Sequence, residues 1–139
     1  VVGSKRLAAA LRREDAVATA LALGGRADVA LLGIGATGPN GSGPIFDGWM
    51  TPHIAAELHT ARAVGHLCGH HYDHRGTHIV NELCHRVLSV PIERLHDIPT
   101  VVAVARGEEK VAAIRGALLG NYVDVLVTDA TTAQGILAE

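Results

Sequence analysis

Aromatic residues and cysteines are scarce in this chain of 139 residues. It has one Phe, one Trp and two Tyr, so any hydrophobic core must be built from Ala, Val, Leu and Ile. Hydrophobic residues make up 48% of the sequence, which is ample material for such a core. The two cysteines, Cys68 and Cys84, argue against the disulfide framework that staples small secreted domains. We interpret both as buried, reduced thiols.

Long apolar runs and an excess of basic charge are also missing. No run approaches the ~18 residues of a membrane-spanning helix and no signal-peptide pattern opens the chain, so we expect a cytoplasmic protein without membrane contact. The net charge is −2 and the basic residues are scattered, so the chain should not bind DNA by itself. It opens with VVGSKRLAAALRRED, without Met, and we interpret residues 1–139 as one domain cut from a longer protein.

The order of elements is typical of an open α/β sheet. Apolar runs at 27–35, 100–105 and 123–128 predict strands, and the first run predicts a strand buried on both faces. Helices are predicted over 5–24 (with Asp15 as N-cap of its second half), from Thr51 to about Ala61, over 108–119, and after Asp129. The alternation in the second half is the βαβ signature of a mostly parallel, Rossmann-like sheet flanked by helices.

The stretch 63–83 follows a different pattern. Its period-2 alternation around DHRG (73–76) predicts two extended segments joined there by a tight turn, a small hairpin insertion at about 64–80. On one extended segment, His66 and His70 would share a face and His71 would point the other way.

Glycines and charged residues follow the predicted strands at their carboxyl ends, where open α/β sheets bind ligands. These ends are GIGATG (33–38), ARGE (105–108) and TD (128–129). GIGATG has the spacing of a dinucleotide-binding loop, but a Gly/Pro-rich stretch follows where a helix should begin. A simple tight turn is therefore an equally good interpretation.

Lys110 falls in the first turn of a predicted helix, where the helix macrodipole disfavours a cation. Arg106 lies just before it. Two cations at this place suit the binding of an anion, phosphate in particular. The alternative is that both are solvated while Glu108 and Glu109 satisfy the dipole, and position alone does not separate the two.

Histidines are concentrated in the predicted hairpin. The chemistry-bearing residues there are His66, His70, His71, Asp73, His74 and His78. A zinc site needs three or four converging ligands, but neither H-E-x-x-H nor paired C-x-x-C occurs. We therefore expect no metal and favour a polar hairpin from which one or two histidines reach a ligand.

Three blocks of the sequence carry a family resemblance: ADVALLGIG (27–35), AVGHLCGHHYDHRG (63–76) and IPTVVAVARGEEKVAAIRGALLGNYVDVLVTDATTAQGIL (98–137). Their order and spacing, from about residue 14 onward, resemble the C-terminal part of the effector-binding domain of SorC-family (DeoR/SorC-type) sugar-binding transcriptional regulators. The resemblance implies a fold like that of sugar-phosphate isomerases and glucosamine-phosphate deaminases, without catalysis. It also implies that a phosphorylated sugar or related metabolite binds at the strand ends, with no cofactor.

The same resemblance assigns ligand contacts to Gly33, Gly35, His66, Arg106, Gly107 and Lys110. Lys110 matches the family's ligand-binding lysine, and the turn at Gly107 would approach the ligand. His66 stands at a position that is often acidic in the family, and Arg106 stands where the family usually has glycine. These two departures suggest a more anionic or differently shaped effector.

A full regulator of this kind would carry a helix-turn-helix domain and the first half of the effector domain upstream. We therefore expect an effector-sensing, homo-oligomeric domain that is not an enzyme, with DNA bound only through the absent part. The alternatives are a sugar-phosphate isomerase or amino-sugar-phosphate deaminase, with Asp73 or His66 as general base, and a metal-binding module. The enzyme alternative is disfavoured because ATGPNGSG (36–43) lacks the carboxylate-rich loop those enzymes use.

Overall fold

The computed structural model describes residues 1–38 and 44–138. Its helices are α1 (Lys5–Leu11), α2 (Asp15–Gly24), α3 (Pro52–Thr60), α4 (Val111–Leu119) and α5 (Ala130–Leu137). Its strands are β1 (Val29–Gly33), β2 (Gly35–Ala36), β3 (Ala63–Leu67), β4 (His70–Asp73), β5 (Thr100–Val104) and β6 (Val125–Val127). Short 3-10 segments occur at Pro44–Phe46, Cys84–Arg86, Ile92–Asp97 and Glu108–Lys110. Residues 39–43, within the Gly/Pro-rich stretch predicted as a loop, lie outside the described residues.

Two small sheets organise the chain. The first is parallel, in the order β1-β5-β6, and the second is antiparallel, in the order β2-β3-β4. Only Ile34 separates β1 from β2, so the chain passes directly from one sheet into the other. The predicted α/β class, the parallel sheet and the small hairpin insertion are confirmed.

The main core is aliphatic, as the composition requires. One buried cluster joins the inner face of the parallel sheet, through Val101 and Ala103, to Ala113 and Ile114 of α4. Tyr72 of β4 is fully buried, and its hydroxyl donates to the Ala113 carbonyl at 3.0 Å. Helix α4 is thereby fixed to the antiparallel sheet as well, so its N-terminus has a defined position.

The prediction that the first strand is buried on both faces is wrong. In β1 only one face is packed, and the side chains of Val29 and Leu31 are 59% and 72% exposed. Val104, Val125 and Val127 of the neighbouring strands are also about half exposed. We call these five residues the open face. A continuous apolar run indicates what a strand can bury, but it does not supply the covering element.

The predicted hairpin turn is also misplaced. Cys68 and Gly69, both with positive φ, form the turn that joins β3 to β4. The DHRG segment does turn, because the Gly76 amide donates to the Asp73 carbonyl, but it leads only to a single bridge between Tyr72 and His78. Because of this early turn, His66 pairs with His71 across β3 and β4, so these two side chains share a face of the sheet. The prediction that His66 shares a face with His70, and that His71 points the other way, is therefore wrong.

Side-chain caps mark the N-terminal ends of α3 and α5. Thr51 accepts from the Ile54 amide at 3.2 Å, and Asp129 accepts from the Thr132 amide at 2.7 Å. The prediction that Asp15 is the N-cap of α2 is wrong. The N-cap is Glu14, whose backbone carbonyl accepts the first helical hydrogen bond and whose side chain makes no capping hydrogen bond. No described helix is long and apolar enough to cross a bilayer.

The predictions for the two cysteines hold in part. Both are free thiols, and Cys84 is buried, but Cys68 is only partly covered because it lies in the hairpin turn.

Candidate functional site

A cavity of about 600 Å³ opens at the carboxyl ends of β5 and β6. Its lining residues are Val104, Ala105, Arg106, Glu109, Lys110, Val127, Thr128 and Asp129. The volume lies within the range of small-molecule sites. Open α/β sheets bind ligands at the carboxyl ends of their strands. The cavity lies at two of the three strand ends predicted from the sequence, 105–108 and 128–129.

Lys110 lines this cavity and is anchored to the end of the neighbouring strand β1. Its Nζ donates to the Ile34 carbonyl at 3.0 Å, a contact across 76 positions of sequence. Ile34 is the buried residue between β1 and β2, so the ammonium group connects the first strand end to the start of α4. The side chain is half-buried and one donor is used, which leaves the other N–H groups of the ammonium for a ligand.

The turn before Lys110 depends on glycine. Gly107 has φ +115°, a conformation that side chains with a Cβ rarely adopt. Its amide donates to Thr132 Oγ1 of α5 at 2.8 Å, which ties the turn between β5 and α4 to α5. Arg106 precedes it with an exposed side chain on the cavity wall. The structure therefore brings Arg106, Gly107 and Lys110 together, as predicted.

The remaining predicted residues lie beside or behind the cavity. Gly35 follows Ile34, and a Cβ at Gly35 would overlap the ring of His66. That ring is buried and packs edge-on against Phe46 at 5.0 Å between centroids. Gly33 ends β1 beside open space, since a methyl group added there would meet no atom within 4 Å. Neither Gly33, Gly35 nor His66 lines the cavity.

Three polar lining residues, Glu109, Thr128 and Asp129, were absent from the predicted set of ligand contacts. Thr128 Oγ1 is buried and has no hydrogen-bond partner among the described residues. Glu109 folds back over the turn, since a Cβ at Gly107 would come within 2.5 Å of its carboxylate oxygens. Thr128 could have been predicted, because it lies at the carboxyl end of a predicted strand. Glu109 could not be distinguished from its neighbour Glu108, because both are glutamates at the start of the same predicted helix.

The lining carries two cations, Arg106 and Lys110, and two carboxylates, Glu109 and Asp129. Hydrogen bonds from Thr132 hold the pKa of Asp129 below its usual range, and the charge of Arg106 acts in the same direction. The Asp129 carboxylate is therefore ionised and committed to capping α5. An anionic ligand would meet Arg106, Lys110 and the N-terminal ends of α4 and α5.

The hairpin histidines do not converge on a metal. Among residues 1–38 and 44–138, no group of three His, Cys, Asp or Glu side chains could hold an ion. Burial lowers the pKa of His70 to about 4 and that of His71 to about 3, with nearby histidines adding to both shifts. Both imidazoles are therefore neutral near pH 7 and serve as packing and hydrogen-bonding groups, with His70 Nε2 3.1 Å from Ser89 Oγ.

Comparison with known proteins places these features in a family. The family profile described as "Putative sugar-binding domain" matches residues 1–138. The chain is similar to the transcriptional regulator LsrR of Enterobacter sp. (strain 638), at 36% identity over 139 residues, 99% of this chain and 43% of that protein. It is also 35% identical over 136 residues to LsrR of Escherichia coli K12, covering 96% and 43% respectively.

Solved structures agree with the sequence matches. A transcriptional regulator from Streptococcus pneumoniae TIGR4 superposes with a TM-score of 0.89 at 28% identity, covering 99% of this chain and 52% of that one. The full-length sorbitol operon regulator SorC from Klebsiella pneumoniae gives 0.89 at 25% identity, covering 99% and 44%. The chain thus spans less than half the length of the curated relatives. It belongs to the sugar-binding domain family of LsrR- and SorC-type transcriptional regulators.

Proposed function

We propose that this chain is the effector-sensing part of a transcriptional regulator and that it binds a phosphorylated sugar or related anionic metabolite in the Lys110 cavity. The observation that carries the proposal is the contact of Lys110 Nζ with the Ile34 carbonyl. A solvated cation would not be half-buried on the carbonyl at the end of the neighbouring strand, at the N-cap of a helix, where the macrodipole disfavours positive charge. An anion across the cavity gives this placement a function.

Arg106 supports the same ligand chemistry. Its guanidinium stands on the wall beside Lys110, and both helices that begin at the cavity direct their N-termini toward it. Phosphate carries roughly two negative charges near neutrality and accepts several hydrogen bonds. The remaining polar lining, Thr128 and Glu109, can meet sugar hydroxyls.

The site favours binding over turnover. The two candidate general bases of the enzyme alternative do not line the cavity: Asp73 accepts from the amides of Arg75 and Thr77, and His66 lies behind Gly35. Asp129 does line it, but its lowered pKa makes it a weak base.

For the whole protein, we extend the proposal from the named relatives, which are transcriptional regulators. Effector binding would shift the equilibrium between arrangements of a cytoplasmic homo-oligomer and so alter DNA binding by a segment outside these 139 residues. Residues 1–139 would form the C-terminal portion of its sensing domain.

Calorimetric titration tests the cavity directly. Ribose 5-phosphate and glucosamine 6-phosphate are titrated into the wild-type chain, Lys110→Gln, and the matched control Lys5→Gln, which alters an exposed lysine on α1. Loss of one charge-assisted contact should raise the dissociation constant about tenfold in Lys110→Gln and leave Lys5→Gln unchanged.

Two outcomes would contradict the proposal. Equal affinities in both lysine variants would show that Lys110 does not meet the ligand. Conversion of either sugar phosphate above the buffer background would favour the isomerase or deaminase alternative.

A further inference from the structure

A second cavity, of about 490 Å³, lies between α2 and the segment 89–94 and shares no lining residue with the Lys110 cavity. Three guanidinium side chains line it, those of Arg12, Arg26 and Arg94, and none of its lining residues is acidic. Leu21 and Val90 supply apolar wall. The cavity therefore combines strong positive charge with an apolar surface. The function proposed for the Lys110 cavity does not explain this combination, because the two cavities share no residue.

The charge in this cavity is weakly neutralised. Within residues 1–38 and 44–138, no carboxylate oxygen lies within 4.0 Å of the Arg12 or Arg26 guanidinium, and Arg94 pairs only with the exposed carboxylate of Asp97 at 2.9 Å. Like charges around one cavity repel each other and concentrate a positive potential there. An anion would relieve that repulsion.

Parts of the wall are fixed in advance. Arg12 Nη2 donates to the Val87 carbonyl at 2.7 Å, which holds the half-buried guanidinium in place and leaves its other N–H groups available. The Ser89 hydroxyl is within hydrogen-bond distance of His70 Nε2, at 3.1 Å. A ligand would therefore find Arg12 already ordered, whereas the exposed side chains of Arg26 and Arg94 would become ordered on binding.

We propose that this cavity binds a small organic phosphate, with the phosphate among the three arginines and the organic part against Leu21 and Val90. A phosphate monoester carries roughly two negative charges near neutrality, which suits three guanidinium groups better than the single charge of a carboxylate. The apolar wall explains why an ester suits the cavity better than the free inorganic ion. The site is independent of the Lys110 cavity and does not rest on the proposed effector.

The test is an NMR titration of the isotope-labelled 139-residue chain with phenyl phosphate, up to about 10 mM, enough to detect a millimolar dissociation constant. The amide signals of Ser89 and Val90 and the side-chain N–H signals of the three arginines report on the cavity. Saturable shifts are expected there. Arg26→Gln and Arg94→Gln should each weaken binding several-fold, because both arginines are exposed, while Arg13→Gln, an exposed arginine that does not line the cavity, should leave binding unchanged.

Further titrations test which part of the ligand is recognised and whether the two cavities bind independently. Benzoate and inorganic phosphate should each bind more weakly than phenyl phosphate, and the shifts at Ser89 and Val90 should persist in Lys110→Gln. The proposal is overturned if these amides do not shift saturably, if Arg26→Gln and Arg94→Gln behave like Arg13→Gln, or if benzoate binds as tightly as phenyl phosphate. Arg12 is left intact because its bond to Val87 also supports the fold.

Discussion

Lys110 occupies the N-cap position of α4 without making a capping hydrogen bond of its own side chain. The preceding 3-10 turn, Glu108–Lys110, places two carboxylates near the helix start and offsets the unfavourable position of the ammonium. The cation is therefore tolerated through its neighbours rather than stabilised by the helix. This position alone also fits a solvated cation, and it is the contact with the Ile34 carbonyl that supports a ligand.

Arg106 gives a prediction for a single residue of the Lys110 cavity. Arg106→Gly removes a cavity cation without touching the anchor of Lys110, because the Arg106 side chain is exposed. Affinity for ribose 5-phosphate should fall several-fold, less than in Lys110→Gln, since an exposed cation contributes less than a half-buried one. Calorimetric titration at two salt concentrations measures this, and the salt dependence should weaken in the variant. Unchanged affinity and salt dependence would remove Arg106 from the site.

Gly35 is required for steric reasons. A methyl there would overlap the His66 ring, which is buried against Phe46 and cannot swing freely away. Gly35→Ala should cost roughly 1–3 kcal/mol of unfolding free energy, as overpacked core positions do. Gly33→Ala is the matched control, because nothing lies within 4 Å of its added methyl, and it should stay within about 0.5 kcal/mol of wild type. Urea unfolding measures both, and equal losses would contradict the packing argument.

Sequence reasoning placed Lys110 and Gly107 at the carboxyl end of a strand, and the structure has a cavity at that end, lined by Lys110. Their ligand contacts were assigned by the family resemblance and stay predictions. The position of His66 relative to the cavity could not be predicted from the sequence. Its distance from the cavity depends on the packing of Gly35 and Phe46, two contacts that no local pattern encodes.

Strand β4 shows how one turn decides the environment of a whole element. Placing the turn at Cys68 and Gly69 instead of DHRG directs His71 into the core beside Phe46, with ring centroids 4.8 Å apart. Side chains alternate along a strand, so a displaced turn exchanges the faces of the residues that follow. Period-2 alternation indicated two strands correctly, but it did not locate the turn, because Cys is an uncommon residue at positive φ.

The buried histidines of β4 predict an acid-sensitive fold. Their folded-state pKa values are lowered to about 4 and about 3 by burial, whereas the unfolded chain protonates them near pH 6.5. Their contribution is complete above about pH 6.5 and is lost as the pH falls toward the folded-state values. The unfolding free energy should fall by up to roughly 1.4 kcal/mol per pH unit for each histidine between about pH 6 and 4.

Urea unfolding between pH 4.5 and about 8 measures this slope. His71→Phe should flatten it, because the variant keeps the buried aromatic ring and removes one titrating group. His53→Gln, at an exposed site on α3, should leave it unchanged. A slope that is the same in all three proteins would contradict the assignment to β4.

His78 should act in the opposite direction. The nearby Cys84 side chain and the Glu93 carboxylate, whose Oε1 lies 2.6 Å from His78 Nδ1, raise the pKa of His78 despite partial burial. Its contribution to stability is therefore present below about pH 6.5 and lost as the pH rises through the raised value. In an NMR titration, Glu93→Gln should lower the pKa of His78, and Glu82→Gln should not. An unaltered His78 titration in Glu93→Gln would show that the carboxylate contact is not maintained in solution.

At the scale of the whole chain, the described residues cover the parallel sheet on one side only. The inner face belongs to the core cluster, while Val29 and Leu31 on the open face are more than half exposed. Composition and hydropathy correctly indicated an α/β sheet with an aliphatic core. They could not show that one face is bare, because hydropathy reports a residue's preference and not the presence of a partner element.

The two faces of β1 give the last prediction, since they carry adjacent leucines. Leu31 is 72% exposed, whereas Leu32 points to the other side and packs against the core cluster. Leu32→Ala should lower the unfolding free energy by about 2–3 kcal/mol through lost burial and a residual cavity. Leu31→Ala should change it by less than about 0.5 kcal/mol, because its side chain already meets water in the folded state. Comparable losses in urea unfolding of the 139-residue chain would mean that the open face is covered in solution.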